Sequence, residues 1–425
     1  MSTIILKQST LKGQVHIPAS KSHTIRAIAL ASLAKGTSII RRPLNSFDTR
    51  AAINAYRQLG AKIVEEDTLI TIEGIDGVVM PPDDIINVLN SGTTLRIALG
   101  SAALLSEGYA VFTGDEQIRS RPMGPLCRSL NDLGATVLST RNNGRCPIIV
   151  SGRLRGGETI LESVTSQYLT CLLINAPCAK ADTTIHVSVL NEVPYVYITL
   201  KWLKELGIVV EHNESLSEVF IPGGQGYPHF DRSIPADFSS ATFFLAAGAL
   251  HNNCILVKGL DMSDPQGDKA VVDYLKDMGA SIRFTSEGIN VTGGELVGRE
   301  IDLNATPDAL PMMATLACFM KGKTLLRNVP QARLKETDRI SVMTEELSKM
   351  GANIQELPDG MSIEGGQLKG TEVCGHKDHR VVMALAIAGL SSLGETVIRD
   401  TEAVGVTYPE FFKTLESLGA HITYL

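Results

Sequence analysis

Lys335, Glu336, Asp338 and Arg339 fall within the run Arg333-Leu334-Lys335-Glu336-Thr337-Asp338-Arg339. Carboxylates there can move a proton, and guanidinium groups can hold a carboxylate or phosphate in bidentate fashion. Taken alone, the run also fits a solvated charge cluster at a helix start. Comparable polar groups open six stretches of small apolar residues. They are Ser20-Lys21-Ser22-His23, Asn90-Ser91-Gly92-Thr93, Thr165-Ser166-Gln167, Asp237-Phe238-Ser239-Ser240, Thr306-Pro307-Asp308 and Lys377-Asp378-His379-Arg380. Helix capping accounts for the Ser, Thr, Asp and Asn. It does not account for Lys21 or Arg380, whose charge opposes the helix dipole at that end. A cation beside exposed helix N–H groups makes sense with an anion held between them. Anionic ligands are therefore predicted, with Asp308, Glu336 and Asp378 available for acid–base work. Arg119-Ser120-Arg121-Pro122-Met123 adds cations before a further helix.

The elements that position these groups recur. Leu59-Gly60-Ala61 returns as Leu133-Gly134-Ala135, Leu206-Gly207-Ile208, Met278-Gly279-Ala280, Met350-Gly351-Ala352 and Leu418-Gly419-Ala420. The glycines are 74, 73, 72, 72 and 68 residues apart. An amphipathic helical pattern precedes each and a β-branched run follows, which is the signature of a helix C-cap. Six tandem repeats follow, each with a buried helix, an amphipathic helix and three or four strands. The buried helices are predicted at Ala27–Ala34, Leu95–Leu105, Tyr168–Ala176, Ala241–Leu250, Met312–Met320 and Val381–Leu390. The fold class is α/β, in two domains of three repeats. The sixth repeat lacks closing strands and the chain begins with unclaimed ones, Ile4-Ile5-Leu6 and Gln14–Ile17. The N-terminus is therefore expected to complete the sixth repeat. The first domain then spans residues 20–235, and the second residues 1–19 plus 236–425.

Composition excludes several classes. The 425 residues are 44% hydrophobic and 20% charged with a net charge of −7, which argues against a general nucleic-acid binder. The seven cysteines are odd in number and hold no C-x-x-C pair, so they read as reduced and mostly core residues. No signal pattern is read at the start, and no apolar run approaches the ~18 residues of a membrane span. A cytoplasmic enzyme is expected. Gly322-Lys323-Thr324 lacks the first glycine of a phosphate-binding loop, and Gly224-Gln225-Gly226 does not continue to a dinucleotide fingerprint. The nine histidines carry no metal-ligand spacing. Neither cofactor nor metal is expected.

Pro18-Ala19-Ser20-Lys21-Ser22 with Arg26, Asn90-Ser91-Gly92-Thr93-Thr94-Leu95-Arg96, Arg121-Pro122-Met123, Ser166-Gln167, Leu334-Lys335-Glu336-Thr337-Asp338-Arg339 and Asp378-His379-Arg380 resemble the signatures of the 5-enolpyruvylshikimate-3-phosphate synthase family. The resemblance spans the chain in the family order. It implies an inside-out α/β barrel of six βαβαββ-type repeats, three per domain, with both crossovers where the repeats place them. It implies transfer of the enolpyruvyl group of phosphoenolpyruvate to the 5-hydroxyl of shikimate 3-phosphate, with release of phosphate, in an interdomain cleft and without a cofactor. The enzyme would serve aromatic amino-acid and chorismate biosynthesis, as a monomer. By the same resemblance, Ser22 and Arg26 would hold the shikimate carboxylate, and Thr165 and Ser166 its phosphate. Gln167 and Tyr195 would pack around the ring. Arg121, Arg339 and Arg380, with Gly92, would clamp phosphoenolpyruvate, and Lys21 would touch both substrates. Asp308 and Lys335 would address the 5-hydroxyl, and Glu336 would pass the proton at the methylene carbon.

Three positions depart from the family pattern. Glu192 stands where a phosphate-binding serine is usual, and is expected to repel that phosphate unless it turns away. Val406 replaces a lysine that contacts phosphoenolpyruvate, and Gln331 replaces a frequent asparagine. Glu192 and Val406 keep open a paralogue acting on another acceptor. The sister enzyme acting on UDP-N-acetylglucosamine fits less well, since its loop cysteine corresponds to Glu116 and Ser22 follows Lys21. A non-catalytic repeat scaffold would show no convergence of charge.

Overall fold

The glycine in each repeated turn is left-handed, with φ of 106, 97, 76, 103, 92 and 102° at Gly60, Gly134, Gly207, Gly279, Gly351 and Gly419. A side chain there would clash with its own backbone, so the recurrence of glycine follows from the turn. The structure, a computed structural model, describes residues 2–250 and 252–425. The helices that end at these turns are Phe47–Gln58, Gly124–Asp132, Val193–Glu205, Val271–Asp277, Arg339–Lys349 and Phe411–Ser417.

The buried helices are Lys21–Leu33, Gly92–Ala102, Ser166–Asn175, Phe238–Ala249, Leu310–Ala317 and His379–Ser391. They start two to six residues ahead of the apolar runs that predicted them. Several open with polar yet buried residues, as at His23, Thr24 and Arg26 or at Thr93, Thr94 and Arg96. Hydrophobicity alone misses such a turn. Ser20, Ser91, Asp237 and Asp378 cap four of these helices by accepting backbone N–H bonds. Thr165 makes no cap bond, and the helix Leu310–Ala317 is entered through the single turn Pro307–Ala309.

The chain divides into two compact units, Ala19–Ile234 and residues 2–18 with Pro235–Leu425, each with its own apolar core. Among the described residues, each unit holds three four-stranded sheets of mixed parallel and antiparallel pairing. In the first unit the strand Asp231–Ser233 closes the sheet of the first repeat, in parallel register with Ile39–Arg41. In the second, Thr3–Lys7 lies between Glu395–Arg399 and His421–Tyr424, completing the sixth repeat. Lys12–His16 goes elsewhere. It runs parallel to Cys254–Lys258 in the sheet of the fourth repeat, which corrects the expectation that all N-terminal strands serve the sixth. A lone short strand carries no sequence signal for its partner.

Within the first unit the helix Gly92–Ala102 packs on Ser166–Asn175. A methyl on Gly100 would meet Asn175 Nδ2 at 2.5 Å, so the helices close through this small residue. Asn175 accepts from Ser101 at 2.8 Å, and the Tyr56 hydroxyl shares a bond of 2.9 Å with Ser101. Buried polar groups satisfied in this way fix one register between helices.

In the second unit Glu346 fastens the helix Arg339–Lys349 to the strand Glu372–Cys374. Its carboxylate accepts from Cys374 N at 3.0 Å and lies 2.6 Å from His376 Nε2 and 2.8 Å from Lys349 Nζ. The Glu346 bond raises the pKa of His376, against partial burial and Lys349. Burial works against the Glu346 charge, yet His376, Lys349 and Cys374 N hold its pKa low. A raised histidine value stabilises below the ordinary 6.5 and loses that contribution as pH rises through the folded value. Glu346 adds stability above its ordinary 4.5, lost as pH falls through the folded value. The melting temperature should therefore decline as pH rises from 6.5, by a few degrees for the ~1 kcal/mol expected of such a half-buried pair. His376→Gln should flatten that decline, and equal slopes in parent and variant would dismiss the pair.

Candidate active site

The second unit gathers three carboxylates and three cations from its fifth and sixth repeats. Arg339, first residue of its helix and 1% exposed, stands at the centre. Its Nε lies 2.8 Å from Asp378 Oδ2, Nη1 2.8 Å from Asp308 Oδ1 and Nη2 2.6 Å from Glu336 Oε2. Burial disfavours the Arg339 charge, but Asp378, Glu336 and Asp308 outweigh it and raise its pKa. Asp308 also lies 3.0 Å from Arg380 Nη2 and 3.8 Å from Lys335 Nζ. Asp378 caps its own helix by accepting from Arg380 N at 2.9 Å. Formal charges sum to zero across these six groups. Arg333, from the same sequence run, instead bonds Asp338, Glu356 and the carbonyls of Leu357 and Pro358. Gln331 is buried and donates to Asn304 O at 3.0 Å. Val406 is also buried, in the turn Thr401–Val406.

The first unit carries its groups on the starts of its buried helices. Lys21 Nζ lies 3.2 Å from the buried Asp48. Sequence reasoning did not single out Asp48, a residue that sits in the first turn of the next helix. Arg26 is almost wholly buried, and burial lowers its pKa to about 10. It donates to Thr199 Oγ1, Ser22 O, Thr170 Oγ1 and Tyr195 O at 2.8–3.2 Å. Arg26 thereby joins Ser22 and Tyr195 across two helices. Gly92 is the first residue of its helix, and a methyl on it would strike the guanidinium groups of Arg121 and Arg96. Arg96 Nη1 donates in turn to Gln167 Oε1 at 2.5 Å, and its guanidinium lies over the Tyr168 ring. Gly92, Arg121, Arg96 and Gln167 are thus neighbours, with Arg96 an addition to the expected set.

Glu192 does not turn away. Its Oε2 accepts from Thr165 Oγ1 at 3.0 Å, Ser166 N at 3.1 Å and Ser166 Oγ at 2.8 Å. The expected phosphate donors thus hold a carboxylate of the chain itself. Lys21 and Arg380 follow the same pattern: the anion beside each helix-start cation is an aspartate of the same unit. Among the described residues, Glu345, Glu346 and His376 lie close enough to share a metal ion. Lys349 Nζ is 2.8 Å from both of those glutamates, which suits an ion pair.

Within each unit, cations and carboxylates from neighbouring repeats thus converge near the starts of the buried helices. The sequence profile of EPSP synthase (3-phosphoshikimate 1-carboxyvinyltransferase) matches residues 5–415. The chain is 54% identical over 418 residues to the 3-phosphoshikimate 1-carboxyvinyltransferase of Acetivibrio thermocellus, covering 98% of each. It is 44% identical to that of Methanococcoides burtonii over 425 residues, covering 99% of this chain and 98% of the relative. The EPSP synthase structure from Acinetobacter baumannii superposes with a TM-score of 0.83 at 25% identity over the whole of both chains. The chain belongs to the EPSP synthase family and is a carboxyvinyl transferase of the shikimate pathway. No helix among the described residues is long and apolar enough to cross a membrane.

Proposed function

We propose that the chain moves the enolpyruvyl group of phosphoenolpyruvate to the 5-hydroxyl of shikimate 3-phosphate by addition and elimination. The observation that carries this reading is Asp308 bridging Lys335, Arg339 and Arg380 with Glu336 bonded to Arg339. A proton adds to the methylene carbon of phosphoenolpyruvate, through Glu336, and leaves C2 electron-poor. The 5-hydroxyl attacks C2 while losing its proton toward Asp308 and Lys335. The adduct then expels phosphate as the methylene carbon gives its proton back, which restores the enol ether. Arg339, Arg380 and Arg121, with Lys21 and the Gly92 start, hold phosphoenolpyruvate and offset the repulsion between two polyanions. Ser22, Arg26, Gln167 and Tyr195 hold the acceptor ring and carboxylate, Thr165 and Ser166 its phosphate. Gln331 lines the same acceptor set. In this reading the two units are the two domains of an inside-out α/β barrel, and the protein is a cytoplasmic monomer that needs no cofactor.

Phosphate release from phosphoenolpyruvate, followed with shikimate 3-phosphate and with UDP-N-acetylglucosamine, tests the assignment. Release that depends on the first acceptor alone is expected; release with only the second would overturn it. Gly92→Ala tests the clamp. The methyl displaces Arg121 and Arg96, so KM for phosphoenolpyruvate should rise about tenfold or more at unchanged melting temperature, a loss of about 1.4 kcal/mol of binding. An unchanged KM would remove Gly92 from the site.

A further inference from the structure

Glu192 follows the strand Thr183–Leu190 and opens the helix Val193–Glu205. It is 1% exposed and left-handed, with φ of 60°, a backbone state that glutamate rarely adopts. The segment around it is pinned. Asn191 N donates to Ser163 O at 3.3 Å, Asn191 Nδ2 donates to Val164 O at 3.2 Å, and Tyr195 N donates to Glu192 O. From that anchor the side chain does not cap its own helix. It reaches the start of the helix Ser166–Asn175, where a single carboxylate oxygen takes two hydroxyls and one backbone N–H.

Those donors at a helix start suit any anion oxygen, carboxylate or phosphoryl. One donor set cannot serve two anions at once, and charges a few ångströms apart repel strongly in a buried setting. We propose that Glu192 is an internal competitor of the acceptor's phosphoryl group, holding Thr165 and Ser166 until the substrate expels it. The proposal rests on the reading that these two residues take the acceptor phosphate. The pinned backbone leaves the displacement to side-chain rotation about Glu192. The consequence is a specificity-setting residue: part of the phosphoryl binding energy is spent on removing the carboxylate, so acceptor affinity is held below what the donors could give.

Glu192→Ser removes the competitor and supplies a hydroxyl; Glu192→Gln keeps the shape without the charge. Titration calorimetry should give at least tenfold tighter binding of shikimate 3-phosphate to the serine variant. The gain for the glutamine variant should be smaller, at least threefold. Unphosphorylated shikimate, the control, should change less than threefold in both, and kcat should hold within threefold while KM for the phosphorylated acceptor falls. Equal or weaker binding of shikimate 3-phosphate by both variants overturns the proposal, as does equal tightening of the unphosphorylated control. Should the serine variant fail to fold, the glutamine variant decides by the same criterion. A parent enzyme that binds shikimate 3-phosphate yet releases no phosphate from phosphoenolpyruvate would count against the reaction, not against the competitor.

Discussion

Glu336→Gln is expected to lower turnover at least a hundredfold, the order seen when an acid–base group is lost. The carboxylate lies 2.6 Å from Arg339 Nη2, and its side chain is 10% exposed. The glutamine carbonyl can accept the same bond, so packing around Arg339 should survive. What disappears is a group able to give a proton to carbon and take it back. Melting temperature should stay within about two degrees and KM for both substrates within threefold. Turnover within threefold of the parent would return the run around Glu336 to a charge cluster with no part in the reaction.

Arg339→Met should be the most damaging single change in the second unit. It leaves Asp378, Glu336 and Asp308 facing one another, with Asp378 wholly shielded from water. Breaking a buried ion pair from one side costs about 3–5 kcal/mol. In a unit of this size that lowers melting by roughly 10 °C or more. The double change Arg339→Met with Asp378→Asn should regain part of the loss, because the stranded charge is then gone. Activity should be lost in both, which separates folding from chemistry. A single variant that melts with the parent would show that water or rearrangement compensates the carboxylates.

The repeats were legible because each helix ends on a backbone state only glycine enters easily, and that demand leaves a mark every seventy or so residues. Helix starts were less so. Arg26 and Arg96 look like surface residues in a one-dimensional reading, yet both are buried among acceptors from other helices. Their partners lie 173 and 71 residues away, beyond any local pattern. At the site, Glu336 and Arg339 stand three residues apart. Glu336 lies in the bend ahead of the helix that Arg339 opens, so only their closeness in sequence was legible. Asp378, 39 residues from Arg339, was recognisable only as a carboxylate of the right kind. Glu192 was noticed as a misfit, but its orientation depended on a left-handed backbone that nothing in its type announces.

The strand Thr3–Lys7 has a consequence in time. It is made long before both strands that flank it, Glu395–Arg399 and His421–Tyr424. At ~5–20 residues per second the wait on a ribosome is roughly 20–80 s. Ala19–Ile234 is complete well before then and contains every strand its own sheets require. The leading segment, by contrast, must carry Ile4, Leu6, Leu11 and Val15 through most of synthesis without the core that later buries them. Such a segment is open to pairing with any nascent neighbour. Lys7 and Lys12, both exposed in the finished fold, interrupt its apolar stretches. Their charges are placed where they hinder a stack of unfinished chains.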